Sequence, residues 1–439
     1  MINLTGTMKI NKEQHLEIGG IDVIDLVSQY GTPLVVLDEQ LIRDTCKNYY
    51  KNFIEQSGGQ ADVLYASKAF TTPAMCQIIK QEGLGLDVVS GGELFIALKA
   101  NFPMEKVYFH GNNKTLDELN MALDHKVGRI VVDNYYELSM LDNLARARDQ
   151  KVDILLRVTP GVEAHTHEYI RTGQIDSKFG FTLPNGQALE AVGKALACDG
   201  LRVVGIHCHI GSQIFEMSSY KHAVEIMVSF MKDIQETYHF ELEELDLGGG
   251  FGIYYTEEDT PADIEDYASY VLNTLRETCE ELHVILPKIL VEPGRSIIGP
   301  AGTNLYTVGS IKEIPGHRKY VAVDGGMPDN IRPALYGAQY DAIIANRAWE
   351  PAQETVNIAG KCCESGDMLM IDGKLGIAKP GDIIAMTATG AYGYSMSSNY
   401  NSLTRPAVVL VKDGQSDLII RRENYEDLVA NAVIPERIR

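Results

Sequence analysis

Between residues 63 and 291 the chain runs eight times from a short apolar stretch into a polar or glycine-rich end, with segments of helical spacing in between. The strand candidates are the run from Val63 to Lys68, then Leu84–Val89, Lys106–His110, Arg129–Asp133, Val152–Val158, Leu201–Ile210, Leu242–Leu247 and Lys288–Val291. Gly92–Ala100, Leu116–Lys126, Tyr135–Arg148, Tyr220–Thr237 and Ile264–Leu282 alternate with them as amphipathic helices. After the first strand, Thr72 and Pro73 read as the N-cap and first-turn proline of a helix reaching Glu82. Alternation over roughly 250 residues is the size of a (β/α)8 barrel of TIM type. A doubly wound sheet is the alternative.

In such a barrel the carboxyl ends of the strands converge on one face, where the chemistry of the fold sits. Here those ends read Lys68; Asp87 with Ser90; His110 with Asn112; Asp133; Arg157; His209 with Ser212; Gly248–Gly250; and Glu292 with Arg295. Polar groups at the ends of buried strands cost free energy unless they find partners. Eight such ends therefore point to a site. Lys68 follows its apolar strand directly, and a partly desolvated lysine has a lowered pKa and can condense with an aldehyde.

Beyond Arg295 the pattern changes to strand-like runs at Leu305–Ile314, Lys319–Val323, Thr355–Ala359, Ile383–Ala388, Ala407–Val411 and Leu418–Arg421, separated by glycine-rich turns. These suggest a mostly antiparallel β-barrel or sandwich. The expected division is a barrel over 38–297 and a β domain made of 1–37 and 298–439. A net charge of −21 argues against a nucleic-acid partner. Seven cysteines with no C-x-x-C pair, and an amino terminus without a basic-then-apolar signal, suit a reduced cytoplasmic enzyme. No apolar run reaches the ~18 residues of a membrane span.

Several motifs carry more than one reading. Leu247-Gly-Gly-Gly-Phe-Gly252 serves equally as a tight turn or as backbone N–H groups brought close to an anion. At the seventh strand of a barrel it lies where this fold often binds phosphate. His207 and His209, two apart on a strand, could hold a metal with Asp87 or Asp133; alternatively His209 lies against a flat cofactor and Ser212 meets its phosphate. His165 and His167 read as loop residues near solvent or substrate. Glu292-Pro-Gly-Arg295 is a rigid turn that makes either a surface ion pair or a carboxylate suited to keeping a pyridine nitrogen protonated. Its arginine is suited to a carboxylate or phosphate. Gly360–Asp367 and Gly390–Met396 read as loops, and the neighbours Cys362 and Cys363 as a buried thiol beside another.

Tyr65-Ala-Ser-Lys-Ala69, His209-Ile-Gly-Ser-Gln213, Gly248–Gly250, Glu292-Pro-Gly-Arg295, Arg332-Pro-Ala-Leu-Tyr336, Cys363-Glu-Ser-Gly-Asp367 and Gly390-Ala-Tyr392 follow one another in that order over nearly the whole chain. Together they resemble the pyridoxal-phosphate decarboxylases built on an alanine-racemase-like barrel, and within them the branch that acts on meso-diaminopimelate. The resemblance implies pyridoxal 5'-phosphate as cofactor, Lys68 as the Schiff-base lysine, His209 on the ring face and Asp87 at the same site. It gives Ser212, Gly249, Gly250 and Tyr392 to the phosphate and Glu292 to the pyridine nitrogen. Arg295, Arg332, Tyr336 and Glu364, with Tyr392, would hold the distal end of the substrate. Cys363 would reprotonate the α-carbon, Cys363 and Glu364 arriving from the partner subunit of a homodimer. The implied reaction makes L-lysine and carbon dioxide, the last step of lysine biosynthesis, without a metal. Ornithine-type relatives carry an aspartate after this cysteine, so Glu364 favours the diaminopimelate branch. Cys362 receives no role. The alternatives are a polyamine-pathway or other basic amino-acid decarboxylase of the same fold, a metal-dependent barrel hydrolase, and a cofactor-binding single-barrel protein, which would lack the second domain.

Overall fold

Parallel strands covered on both faces must be apolar on both, and the first such strand, Ala61–Ala66, is buried at every position except the half-buried Asp62. It begins a sheet that closes on itself in chain order. The strands are β1 (Ala61–Ala66), β2 (Gly85–Val88), β3 (Val107–Phe109), β4 (Arg129–Val132), β5 (Val152–Thr159), β6 (Leu201–His207), β7 (Glu244–Asp246) and β8 (Lys288–Val291). Each pairs in parallel with the next, and β8 pairs with β1. Leu64, Tyr108, Val131, Leu155, Val204 and Leu290 form one buried cluster drawn from six of these strands. The protein is thus a (β/α)8 barrel, seen in a computed structural model that describes residues 3–161 and 177–439. His165 and His167 lie outside the described residues.

Side-chain caps close the turns after the first four strands. Thr72 accepts from the Met75 N–H with Pro73 in the first turn, Ser90 accepts from Glu93, Thr115 and Glu118 form a reciprocal capping box, and Asn134 accepts from Glu137. Each cap fixes where the chain leaves its strand, and so where the strand-end side chain stands.

The chain divides into two units: Arg43–Ile253 with Thr260–Ile297, which holds the barrel, and Met1–Ile42 with Tyr254–Asp259 and Ile298–Arg439. The second unit is a sheet in the order Met368–Leu375, Glu354–Ala359, Arg318–Val323, Gly302–Ile314, Leu34–Asp38, Ala407–Lys412, Gln415–Ile420, with Ile383–Met386 also on Gly302–Ile314. Most pairings are antiparallel. Two are parallel, Arg318–Val323 with Glu354–Ala359 and Leu34–Asp38 with Ala407–Lys412, so the sheet is mixed. Leu34–Asp38, buried throughout, lies inside the sheet, which explains the continuous apolar run near the amino terminus. Met368–Leu375 escaped the sequence reading because Asp372, Gly373 and Lys374 interrupt its apolar alternation. Among the described residues no helix is long and apolar enough to cross a membrane.

Candidate active site

Lys68 stands on the tight turn Ser67–Ala69 that follows β1. Ser67 and Ala69 are buried but Lys68 is exposed, which corrects the partly desolvated lysine inferred from sequence. The packed run stops at Ala66, and the turn carries the lysine out of that layer. Its positive charge is nevertheless felt at Asp87, on β2, and at His209.

Glu292 follows β8 and is buried, among groups from other strand ends. Its Oε1 lies 2.8 Å from His110 Nε2 and its Oε2 3.5 Å from His207 Nε2. His110 Nε2 is also 3.8 Å from Asp87 Oδ1, and the two imidazoles meet edge to face at 4.9 Å. Burial would push the Glu292 carboxyl up, but the two histidines outweigh it and hold the group well below the usual carboxylate range. Asp246, at the end of β7, goes the other way: burial and the charge of Glu292 push it well above that range. Burial, reinforced by Glu292, also raises Asp87 against the pull of His110. His207 is pushed down by burial to about 3, so it is a neutral imidazole near pH 7. β6 ends at His207, and the strand-face argument for a His207–His209 metal pair does not reach His209. His209 is itself held well below the usual histidine range by burial and by the charges of Lys68 and Arg157. Asp133 accepts the Gly180 N–H at 3.1 Å and lies 3.9 Å from Arg157, which sits 4.2 Å from the Phe179 ring centroid.

The glycine run after β7 is a place of close approach. Gly248 and Gly250 have φ of +68° and +114°, and a methyl group on Gly249 would collide with the carbonyl oxygen of Glu292. One on Gly248 would meet His209 Nδ1 at 2.8 Å. Ser212 accepts a hydrogen bond from Arg295 Nη2 at 2.8 Å. Barrel residues named from the sequence are therefore brought together in two groups: Glu292 with Asp87 through His110, and His209 and Ser212 with the glycine run and Arg295.

In the second unit Arg332 opens the short helix Arg332–Tyr336 and is buried. Its Nη1 donates to the hydroxyls of Tyr255 at 2.9 Å and Tyr340 at 2.6 Å. Its guanidinium lies 5.3, 5.8 and 5.9 Å from the rings of Tyr255, Tyr340 and Tyr392. Tyr392 adopts φ +61°, and Tyr336 is half-buried. Cys363 and Glu364 are exposed, and the Cys363 N–H donates to Asn401 Oδ1 at 2.7 Å. Buried Asp367 ties their loop down, accepting from the N–H groups of Cys362 at 2.8 Å and Met327 at 2.6 Å. Tyr255, Tyr340, Asp367 and the histidines around Glu292 have site contacts that sequence reasoning did not assign. In the sequence His110 and His207 show only as strand-end residues, and Asp367 as an aspartate closing a glycine-bounded turn.

A family model described as the pyridoxal binding domain of pyridoxal-dependent decarboxylases matches residues 39–299. The diaminopimelate decarboxylase of Bacillus subtilis is 53% identical over 426 residues, 97% of each chain. The M. jannaschii diaminopimelate decarboxylase, solved with L-lysine, superposes with a TM-score of 0.92 at 36% identity over 99% of both chains. That of Helicobacter pylori, also with L-lysine, gives 0.85 at 31% identity, covering 93% of this chain and 98% of its own. The chain belongs to the pyridoxal-dependent decarboxylases, in the branch of the diaminopimelate decarboxylases.

Proposed function

We propose that the protein decarboxylates meso-2,6-diaminopimelate to L-lysine and carbon dioxide with pyridoxal 5'-phosphate, the last step of lysine biosynthesis. The observation that carries the cofactor chemistry is Glu292, a buried carboxylate at the strand ends of the barrel with imidazole nitrogens of His110 and His207 at 2.8 and 3.5 Å. Near-full-length identity to enzymes of that name supports the substrate. The donor set also fits the cofactor: a carboxylate for a ring nitrogen, a glycine run whose backbone a phosphate can approach, and a lysine at the end of β1.

On this reading Lys68 holds the cofactor, His209 lies on its ring, Asp87 belongs to the same site, and Ser212, Gly249, Gly250 and Tyr392 take the phosphate. Held by these residues, pyridoxal phosphate would supply an electron sink for the pair left when the α-carboxylate departs. Glu292 keeps the proton on the ring nitrogen that makes this acceptance favourable. Arg295, Arg332, Tyr336, Glu364 and Tyr392 grip the distal end of the substrate, and the binding energy orients the scissile bond. Cys363 gives a proton to the α-carbon, replacing the carboxylate, and Lys68 closes the cycle.

The enzyme is proposed to be a homodimer in which Cys363 and Glu364 serve the partner's site; their exposure on this chain supports that. A cytoplasmic location is supported by seven unpaired cysteines. The test is an absorbance spectrum of the purified protein together with kcat/KM on meso-diaminopimelate and ornithine. A yellow protein that prefers the former is expected; comparable values on the two would overturn the substrate assignment.

A further inference from the structure

His110 and His207 belong to none of the roles above, yet both stand against the carboxylate on which the cofactor chemistry depends. We propose that His110 is a positioning residue for the cofactor's ring nitrogen: from β3 it holds Glu292 ionised and aimed, with His207 packed against it from β6. The inference rests on the reading of Glu292 as the partner of that nitrogen.

The geometry comes from the barrel itself. His110, His207 and Glu292 are 3%, 1% and 5% exposed and stand at the ends of three different strands, so parallel pairing rather than a loop sets their spacing. His110 Nε2 stands 2.8 Å from Glu292 Oε1, a distance at which an imidazole N–H can donate to an ionised carboxylate. His207, edge-on to His110 at 4.9 Å, restricts the ring to the orientation that makes this contact.

Burial is what opposes the ionised Glu292 and makes a partner necessary. Glu292 itself raises Asp246 on β7 and Asp87 on β2, so the nearby carboxyls are held toward their protonated forms, while Arg157 on β5, Lys68 and His209 are the remaining titratable groups whose charges reach this cluster. Without His110 the carboxylate would lose its nearest donor in a site without bulk water, and would take up a proton or turn away. A neutral carboxylic acid cannot keep a pyridine nitrogen protonated.

The measurement is the affinity of the apoenzyme for pyridoxal phosphate relative to its 1-deaza analogue, in which carbon replaces the ring nitrogen. A merely structural role would weaken both ligands equally and leave the ratio unchanged. The wild type should favour pyridoxal phosphate, and H110L should shrink that preference by about tenfold or more, the size of a lost charge-assisted contact. H110Q, whose amide nitrogen can occupy the place of Nε2, should keep most of it. H110N, a bond too short, should behave like H110L and carries the test if the leucine variant does not fold. E292Q should abolish the preference, and adding H110L to it should cost nothing more. If E292Q abolishes the preference while H110L and H110N retain the wild-type ratio, the inference fails. If E292Q itself leaves the ratio intact, the reading of Glu292 fails, and the inference with it.

Discussion

In the barrel, strand-end residues have neighbours fixed by parallel pairing: Asp87, His110, His207 and Glu292 stand at the ends of four different strands and still meet within ion-pair range. The second unit works otherwise. Arg332 stands on a five-residue helix, Cys363 on a loop between two antiparallel strands, and Tyr392 on a turn at positive φ. Individual side chains hold two of them, the hydroxyls of Tyr255 and Tyr340 for Arg332 and the Asp367 carboxylate for the Cys363 loop. The barrel thus sets chemistry by topology, and the second unit sets it residue by residue.

That contrast predicts a gradient of effects. Lys68→Ala, at the barrel's first strand end, should bring turnover to background. Borohydride should trap the cofactor on Lys68 of the wild type alone, and peptide mapping that finds the adduct on another lysine would refute the assignment. Mixing Lys68→Ala with Cys363→Ala should recover about a quarter of wild-type sites once subunits exchange, since each heterodimer has one site with both defects and one with neither. Heterodimers verified by mass tagging that stay inactive would break the proposed division of labour between copies.

Glu292→Gln should lower kcat by roughly 10²–10⁴-fold with little change in KM, because its charge matters most as the transition state develops. A pure KM effect would contradict the role. Arg332→Leu, in the second unit, should cost about 1.5–3 kcal/mol in kcat/KM for the substrate with a distal carboxylate, and much less for a diamine acid lacking it. Equal losses on both would place Arg332 outside substrate recognition.

The last expected effect is on stability rather than on turnover. Burial, with the neighbouring charges of Asp324 and Asp367, pushes Asp329 up to about 7 even though the Gly326 N–H opposes it. Between pH 4 and 7 the unfolded chain loses this proton while the folded one keeps it, so stability falls as pH rises, by at most ~1.4 kcal/mol per unit. Asp329→Asn lacks the term. Its thermal stability relative to the parent should climb from pH 4 to 7 and then level off; a constant offset across that range would show that Asp329 is ionised in the fold.

The eight strand ends were legible because a period of strand and helix exposes the same polar position each time. What could not be read was who meets whom across the barrel. His207 looked like half of a metal pair with His209, two residues away, yet its neighbour is His110, 97 positions earlier. Lys68 looked desolvated because the run before it is apolar, and sequence does not report that a turn lifts it clear. In the second unit the contacts of Arg332 with Tyr255 and Tyr340 left no periodic trace, since a one-turn helix and two loops supply them. Only the ordered motifs pointed there.

Gly249 has an implication for how such an enzyme can be altered. Its backbone lies so close to the Glu292 carbonyl that no side chain fits between them, so the segment assigned to the phosphate and the segment assigned to the ring nitrogen share one wall. Neither grip can be loosened alone. A variant selected for a bulkier or differently charged cofactor would have to shift the end of β8 together with the glycine run, and so must cross a valley in which both holds are impaired at once. Redesign is easier at the residues assigned to the other end of the substrate, where Arg332 and Tyr336 share one short helix and Glu364 stands on a separate loop, so the two pieces can be exchanged independently.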